Sequence, residues 1–166
     1  CCNKYILATT ADQLIKEDKC PLCSTHFKNK TGPQPKGTMS IKKSSYDCEG
    51  HTGKGSYHIQ YDFKAGTTPE GKQFPPRTEN NYVPQTDEGK QIVTILMNCF
   101  RRGYLYKVSS SVTHGGFGIT FNIHQKTSLY GGPTNHGWPD TGYLNRLQSE
   151  CATHLPDYAV EKECLL

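Results

Sequence analysis

Apolar and polar residues alternate most cleanly over Tyr57-His58-Ile59-Gln60-Tyr61-Asp62-Phe63. Tyr57, Ile59, Tyr61 and Phe63 share one side, and His58, Gln60 and Asp62 the other. This is the period-two pattern of a half-buried strand, and it reads His58 as a surface histidine. Tyr104 to Val108 reads as a short strand. A second clean alternation follows, with Ile119, Phe121 and Ile123 on one face and Thr120, Asn122 and His124 on the other. If the apolar face meets the core, His124 points away from it. The period changes to that of a helix from Asp87 to Arg102. Ile92, Val93, Ile95, Leu96, Cys99 and Phe100 form its buried side, Asp87 and Glu88 suit its N-terminus, and Arg101, Arg102 and Gly103 its C-terminal end. A last helix is expected from Thr141 to about His154, with Asp140 as its N-cap. Tyr143, Leu147 and Glu150 fall on one face of it.

The stretches between are less patterned. Residues 31–40, T-G-P-Q-P-K-G-T-M-S, form a connector with turn chemistry. Residues 41–56 are polar and glycine-rich and read as loop. Residues 64–85 read as a long proline-containing loop, a kind that is often functional or wraps the surface. Ser109 to Gly118 is a Ser/Gly loop, and Lys126 to Asp140 is irregular.

At 166 residues the chain suits one domain with a proper core. Ten tyrosines carry much of a modest apolar content, so a tyrosine-rich core is expected. The net charge of +4 is compatible with an anionic ligand and falls short of a dedicated DNA binder. No apolar run approaches the roughly 20 residues that a membrane helix needs. The start at Cys1, without Met or a signal-peptide pattern, reads as a fragment of something longer. The eight cysteines are too unevenly spread for a small disulfide scaffold. Cys99 and Cys151 read as buried thiols, and the compartment as reducing, cytoplasmic or nuclear.

The chemistry gathers between Ser109 and Glu150. Three of the seven histidines, His114, His124 and His136, lie there with the only tryptophan. Glu150 sits on an otherwise apolar helix face. A carboxylate there needs a donor or a raised pKa, either of which suits a general base, unless the helix end simply meets water. Ser109-Ser110-Ser111 with Gly115-Gly116 offers hydroxyls and N–H groups to a diphosphate. P-loop, Rossmann, nucleophile-elbow and zincin motifs are absent. Near the N-terminus, Cys20-Pro21-Leu22-Cys23 suits a zinc knuckle, with Cys2 and His26 as chemically possible further ligands. Two structural or redox thiols are the other reading of that pair.

An ordered set of segments resembles a known family. C-P-L-C followed by T-G-P-Q-P-K-G-T-M is similar to the junction between a RING finger and the C-terminal domain of Deltex-type ubiquitin ligases. The likeness continues through Y-x-I-x-Y-x-F, D-E-G-K-Q-I-V-T-I-L, L-Y-K-V-S-S-S-V-T, I-H-Q-K-T-S and H-G-W-P-D-T-G-Y-L, over about residues 18–155. It implies an α+β fold: a single mixed domain with an antiparallel-rich sheet and two main helices. Residues 1–30 would be a partial RING remnant and residues 31–166 the Deltex C-terminal domain.

The resemblance also implies chemistry. The domain would bind ADP-ribose or NAD, free or as ADP-ribosylated protein. A complete RING would recruit a ubiquitin-conjugating enzyme, and ubiquitin would be esterified to a ribose hydroxyl. A related activity joins ADP-ribose, from NAD, to the C-terminus of ubiquitin. The ligand residues carried over are Ser110, Ser111, His124, His136, Gly137 and Glu150, with His136 and Glu150 as the catalytic pair. Zinc would sit at Cys20 and Cys23. Departures from the family pattern are Gln125 for a second histidine, Trp138 for tyrosine, a strand one residue short before His124, and Tyr5 where a RING cysteine belongs. The incomplete RING is expected not to recruit a conjugating enzyme by itself. Two rival readings are a non-catalytic module for ADP-ribosylated protein or single-stranded nucleic acid, and a zinc-stabilised structural domain.

Overall fold

A computed structural model describes residues 32–110 and 116–155. The expectations for Cys2, Tyr5, Cys20, Cys23, His26, Ser111 and His114 lie outside the described residues.

The main sheet has three antiparallel strands: β1 (Gly37–Ser44), β2 (Ser56–Phe63) and β5 (Arg77–Pro84), in the order β1-β2-β5. Strand β2 is the one read from the alternation. Ile59, Tyr61 and Phe63 are buried as expected. His58, on the other face, is half-buried: it stacks on Tyr82 with centroids 5.1 Å apart, and its Nε2 lies 2.8 Å from Asn80 Oδ1.

Both flanking strands correct the sequence reading. Residues 41–56 are not all loop, because β1 runs into them and pairs with β2 from Gly37↔Phe63 to Ser44↔Ser56. As an edge strand it only half-buries its apolar Met39 and Ile41, and its lysines stay in water, so no clean alternation announces it. Residues 64–85 are not one loop either. They hold a two-residue pair, β3 (Gly66–Thr67) and β4 (Gln73–Phe74), and then β5. The β5 row facing the core pairs Arg77, Glu79, Asn81 and Val83 with Phe63, Tyr61, Ile59 and Tyr57. Only Val83 in that row is apolar, so the period-two signal is hidden.

Fully buried Asn81 needs a partner, because an unpaired amide in the core is costly. Its Nδ2 donates to Oε1 of equally buried Gln125. The hydroxyls of Tyr61 and Tyr106 are buried in the same core, and burial raises both phenol pKa values. The tyrosine-rich core thus has a neutral polar centre.

Helix α1 (Asp87–Arg101) starts where expected, capped by Thr86, whose Oγ1 accepts from Gly89 N–H at 3.0 Å. Its buried side is Ile92, Val93, Leu96 and Cys99, and Gly103 follows it at φ 76°. Strand β6 (Tyr106–Ser110) begins two residues later than the sequence suggested. Leu105 and Tyr106 give their N–H groups to Gln34 Oε1 at 3.1 and 3.2 Å, so the connector is stapled across the turn after α1. Strand β7 (Phe117–Phe121) pairs with β6, buries Ile119, and is followed by buried Ile123.

Helix α2 (Tyr143–His154) packs through Tyr143, Leu147 and Cys151. Cys99 and Cys151 are buried thiols as expected, with sulfurs 3.3 Å apart between the two helices. Asp140 is not the cap of α2: Gly142 holds that position without a side-chain bond. Stronger partners claim the Asp140 carboxylate. This is the expected α+β architecture of antiparallel strands and two helices. Among the described residues no helix is long and apolar enough to cross a membrane.

Candidate functional site

The segment that follows β7 and one side of α2 line an open cavity of about 300 Å³. His124, His136, Arg146 and Glu150 line it, together with Lys126, Asp140 and Tyr143. Three residues singled out in the sequence, far apart along the chain, are therefore brought together.

The first of them, His124, stands just beyond the end of β7. Ile123 is locked in the core at 0 % exposure, which turns its neighbour His124 outward. Glu150 reaches His124 from α2. One carboxylate oxygen accepts the His124 backbone N–H at 2.7 Å, and the other lies 2.8 Å from the ring Nδ1. An ionised carboxylate only accepts, so Nδ1 carries a proton, and in the neutral ring Nε2 is left as a base. Tyr143 adds a third restraint, donating its hydroxyl to the His124 carbonyl at 3.0 Å. Burial, reinforced by the Glu150 charge, holds this phenol well above its ordinary pKa, so it remains a donor. The expectation that Glu150 must find a donor is met twice over, and both donors belong to His124. Its side chain is 28 % exposed, whereas that of His124 is 73 % exposed.

His136 comes from a different kind of element. It closes a one-turn 3₁₀ helix, Pro133–Asn135, in the left-handed conformation at φ 51°. Single backbone bonds pin that turn: Ser128 N–H to the His136 carbonyl at 3.2 Å, and Gly137 N–H to the Gly132 carbonyl at 2.8 Å. Position 137 tolerates no side chain, since a Cβ there would lie 1.9 Å from the Tyr130 carbonyl oxygen. Trp138, buried beneath, donates its indole N–H to the Tyr82 carbonyl at 2.8 Å.

The cavity lining also holds a charged cluster that the sequence reading missed. Lys126 is buried, and its Nζ donates to the Gly137 carbonyl at 2.8 Å and to Asp140. Arg146 also donates to Asp140. Burial alone would raise the Asp140 pKa, but the hydrogen bonds and charges of Arg146 and Lys126 outweigh it and hold the carboxyl below its ordinary value. No local pattern announced this pairing, because a lysine inside an irregular segment normally reads as solvated.

The other carried-over residues fall differently. Ser110, at the end of β6, is exposed and is not among the cavity residues. Gly137 is buried behind His136 and contributes its carbonyl to Lys126. Gln125 turns into the core to meet Asn81. Ser111, Cys20 and Cys23 lie outside the described residues. Among the described residues no three His, Cys, Asp or Glu side chains cluster as a metal site.

Fold and site together define a small mixed α/β domain that presents a histidine–carboxylate pair at the rim of an open cavity. The family model described as the Deltex C-terminal domain matches residues 31–154. The chain belongs to the Deltex C-terminal domain family. It is 30 % identical over 141 residues to the E3 ubiquitin-protein ligase DTX1 of Xenopus laevis, covering 80 % of this chain and 23 % of that protein. It is 33 % identical over 140 residues to the probable E3 ubiquitin-protein ligase DTX3 of Homo sapiens, covering 79 % of this chain and 40 % of that protein. Against the E3 ubiquitin-protein ligase DTX4 of Mus musculus it is 29 % identical over 143 residues, covering 81 % of this chain and 23 % of that protein. The chain thus spans between about a quarter and two fifths of the length of these relatives.

Proposed function

We propose that this domain is the ligand-presenting part of a ubiquitin ligase. Its cavity holds ADP-ribose or NAD, free or as the ADP-ribosyl group of a modified protein, and offers a ribose hydroxyl to ubiquitin. The observation that carries this reading is the pair of hydrogen bonds between Glu150 and His124 on a cavity that His136 also lines.

Glu150 fixes the tautomer and orientation of His124, so that Nε2 can take a hydroxyl proton. His136, which also lines the cavity, is a second acid–base group for the same ligand. The ribose oxygen then attacks the thioester carbonyl of ubiquitin held on a conjugating enzyme. The carbon–oxygen bond forms as the carbon–sulfur bond breaks, the proton goes to the histidine–carboxylate pair, and the cysteine thiolate leaves. The family membership and the ligase names of its relatives support that partner set. Zinc at Cys20 and Cys23 belongs to the proposed RING half and enters no step here.

Calorimetry with ADP-ribose tests the reading on the wild type, His124→Ala and Glu150→Ala. Saturable heat from the wild type and its loss in His124→Ala are expected. An absence of heat in the wild type refutes the ligand. Reconstituted transfer with a complete RING supplied separates the catalytic reading from a binding module. Binding that saturates while ubiquitin transfer stays at background would mark the domain as non-catalytic.

A further inference from the structure

Arg146 is the exposed member of a three-residue charge cluster. The Asp140 and Lys126 side chains are 3 % and 4 % exposed, whereas that of Arg146 is 54 % exposed and lines the cavity. One carboxylate serves two cations, so the cluster keeps one net positive charge. Lys126 is enclosed and already bonded to the Gly137 carbonyl, which leaves the surplus accessible at Arg146. The guanidinium meets Asp140 through Nη2, and a guanidinium carries five donors in a rigid fork.

Four residues later on the same helix stands Glu150. Residues four apart lie on one face, about 6 Å apart along the axis. An arginine and a glutamate at that spacing ordinarily neutralise each other. Here each is engaged elsewhere, Arg146 by Asp140 and Glu150 by His124. The cavity is therefore polarised along one helical turn, with a proton-accepting pair at one end and an unspent cation at the other. A ligand that fits has a hydroxyl-bearing sugar next to an anion.

We infer that Arg146 reads a phosphate of the ligand, and so sets both the ligand's direction in the cavity and its preference for phosphorylated sugars. The inference rests on the ligand class proposed above. Bidentate recognition of phosphate by a guanidinium anchored from behind is what the fork geometry favours. The alternative is that Arg146 only clamps Asp140, and the two differ in what a substitution does.

The test is calorimetry on wild type, Arg146→Met and Arg146→Lys, with ADP-ribose and separately with inorganic pyrophosphate, each at low and high salt. Melting temperatures are recorded alongside. Arg146→Met should weaken ADP-ribose roughly tenfold or more, the size of one lost charged hydrogen bond. It should also flatten the salt dependence, while Arg146→Lys recovers part of the affinity. If Arg146→Met melts early, Arg146→Lys decides: it should bind more weakly than wild type at an unchanged melting temperature, and undiminished affinity overturns the inference. Equal affinity and equal salt dependence in wild type and Arg146→Met likewise overturn it, and leave the ADP-ribose reading standing. Pyrophosphate bound in an Arg146-dependent way without any ADP-ribose binding supports the anion site and refutes the ligand class. Binding of neither probe refutes both.

Discussion

The sheet with α1 and the segment from Asn122 to Gly142 with α2 hold their shapes by different means. In the first, pairing runs without a break across eight residues from β1 to β2 and eight from β2 to β5. The core beside it is built from Ile59, Tyr61, Phe63, Ile92 and Leu96, each reinforcing its neighbours. No single contact decides the outcome. In the second region, between β7 and α2, the only regular element is the short turn Pro133–Asn135. Individual bonds hold it: Lys126 to Gly137 and Asp140, Trp138 to Tyr82, and His124 to Glu150. Repetition makes a framework that tolerates change, and point contacts make a site that does not.

The largest expected effect breaks the second region at its charged anchor. Lys126→Met leaves Asp140 enclosed with Arg146 as its one remaining cation. Breaking a buried ion pair from one side costs about 3–5 kcal/mol. Trimming the framework by Ile59→Val should cost only about 0.5–1.5 kcal/mol. Equilibrium unfolding in denaturant compares them directly. A Lys126→Met protein as stable as Ile59→Val would show that the loop is held by something other than this contact.

A smaller effect sharpens the same point through pH. In the fold, Lys126 and Arg146 outweigh burial and hold the Asp140 carboxyl below its ordinary pKa. A depressed carboxyl stabilises the fold at pH above its unfolded pKa, and that contribution is lost as pH falls through the lower folded value. Asp140→Asn should therefore be less stable than wild type near neutrality, and the gap should close as pH drops below about 4. Stability curves that stay parallel down to the acid limit would remove Asp140 from the account.

What the sequence revealed follows the same division. Strand β2 and helix α1 were legible because their apolar residues recur at a fixed period. Strand β5 was not, because its core-facing row includes Arg77, Glu79 and Asn81: Arg77 and Glu79 pair with each other, and Arg77 and Asn81 also find partners far along the chain. In the site, the helical face gave Glu150 and the strand parity gave His124, each a consequence of periodicity. Asp140 looked like a cap because aspartate before a helix usually is one, and only Lys126 and Arg146, distant in sequence or hidden by loop, redirect it. Gln125 showed only as a departure from a family pattern, since nothing local points to Asn81 as its partner.

The smallest effect falls on the framework side, at the start of α1. Thr86 Oγ1 accepts one N–H, that of Gly89, in the first turn. Removing such a cap costs about 1 kcal/mol, and the loss is local because the buried side, Ile92 to Cys99, begins a turn later. No bond of the cap touches the cavity. Thr86→Ala should accordingly lower the unfolding midpoint slightly while leaving ADP-ribose affinity as in the wild type, measured by calorimetry on the same preparation. If the cap substitution weakened ligand binding as much as His124→Ala does, framework and site would be one cooperative unit, and the contrast between the two regions would fail.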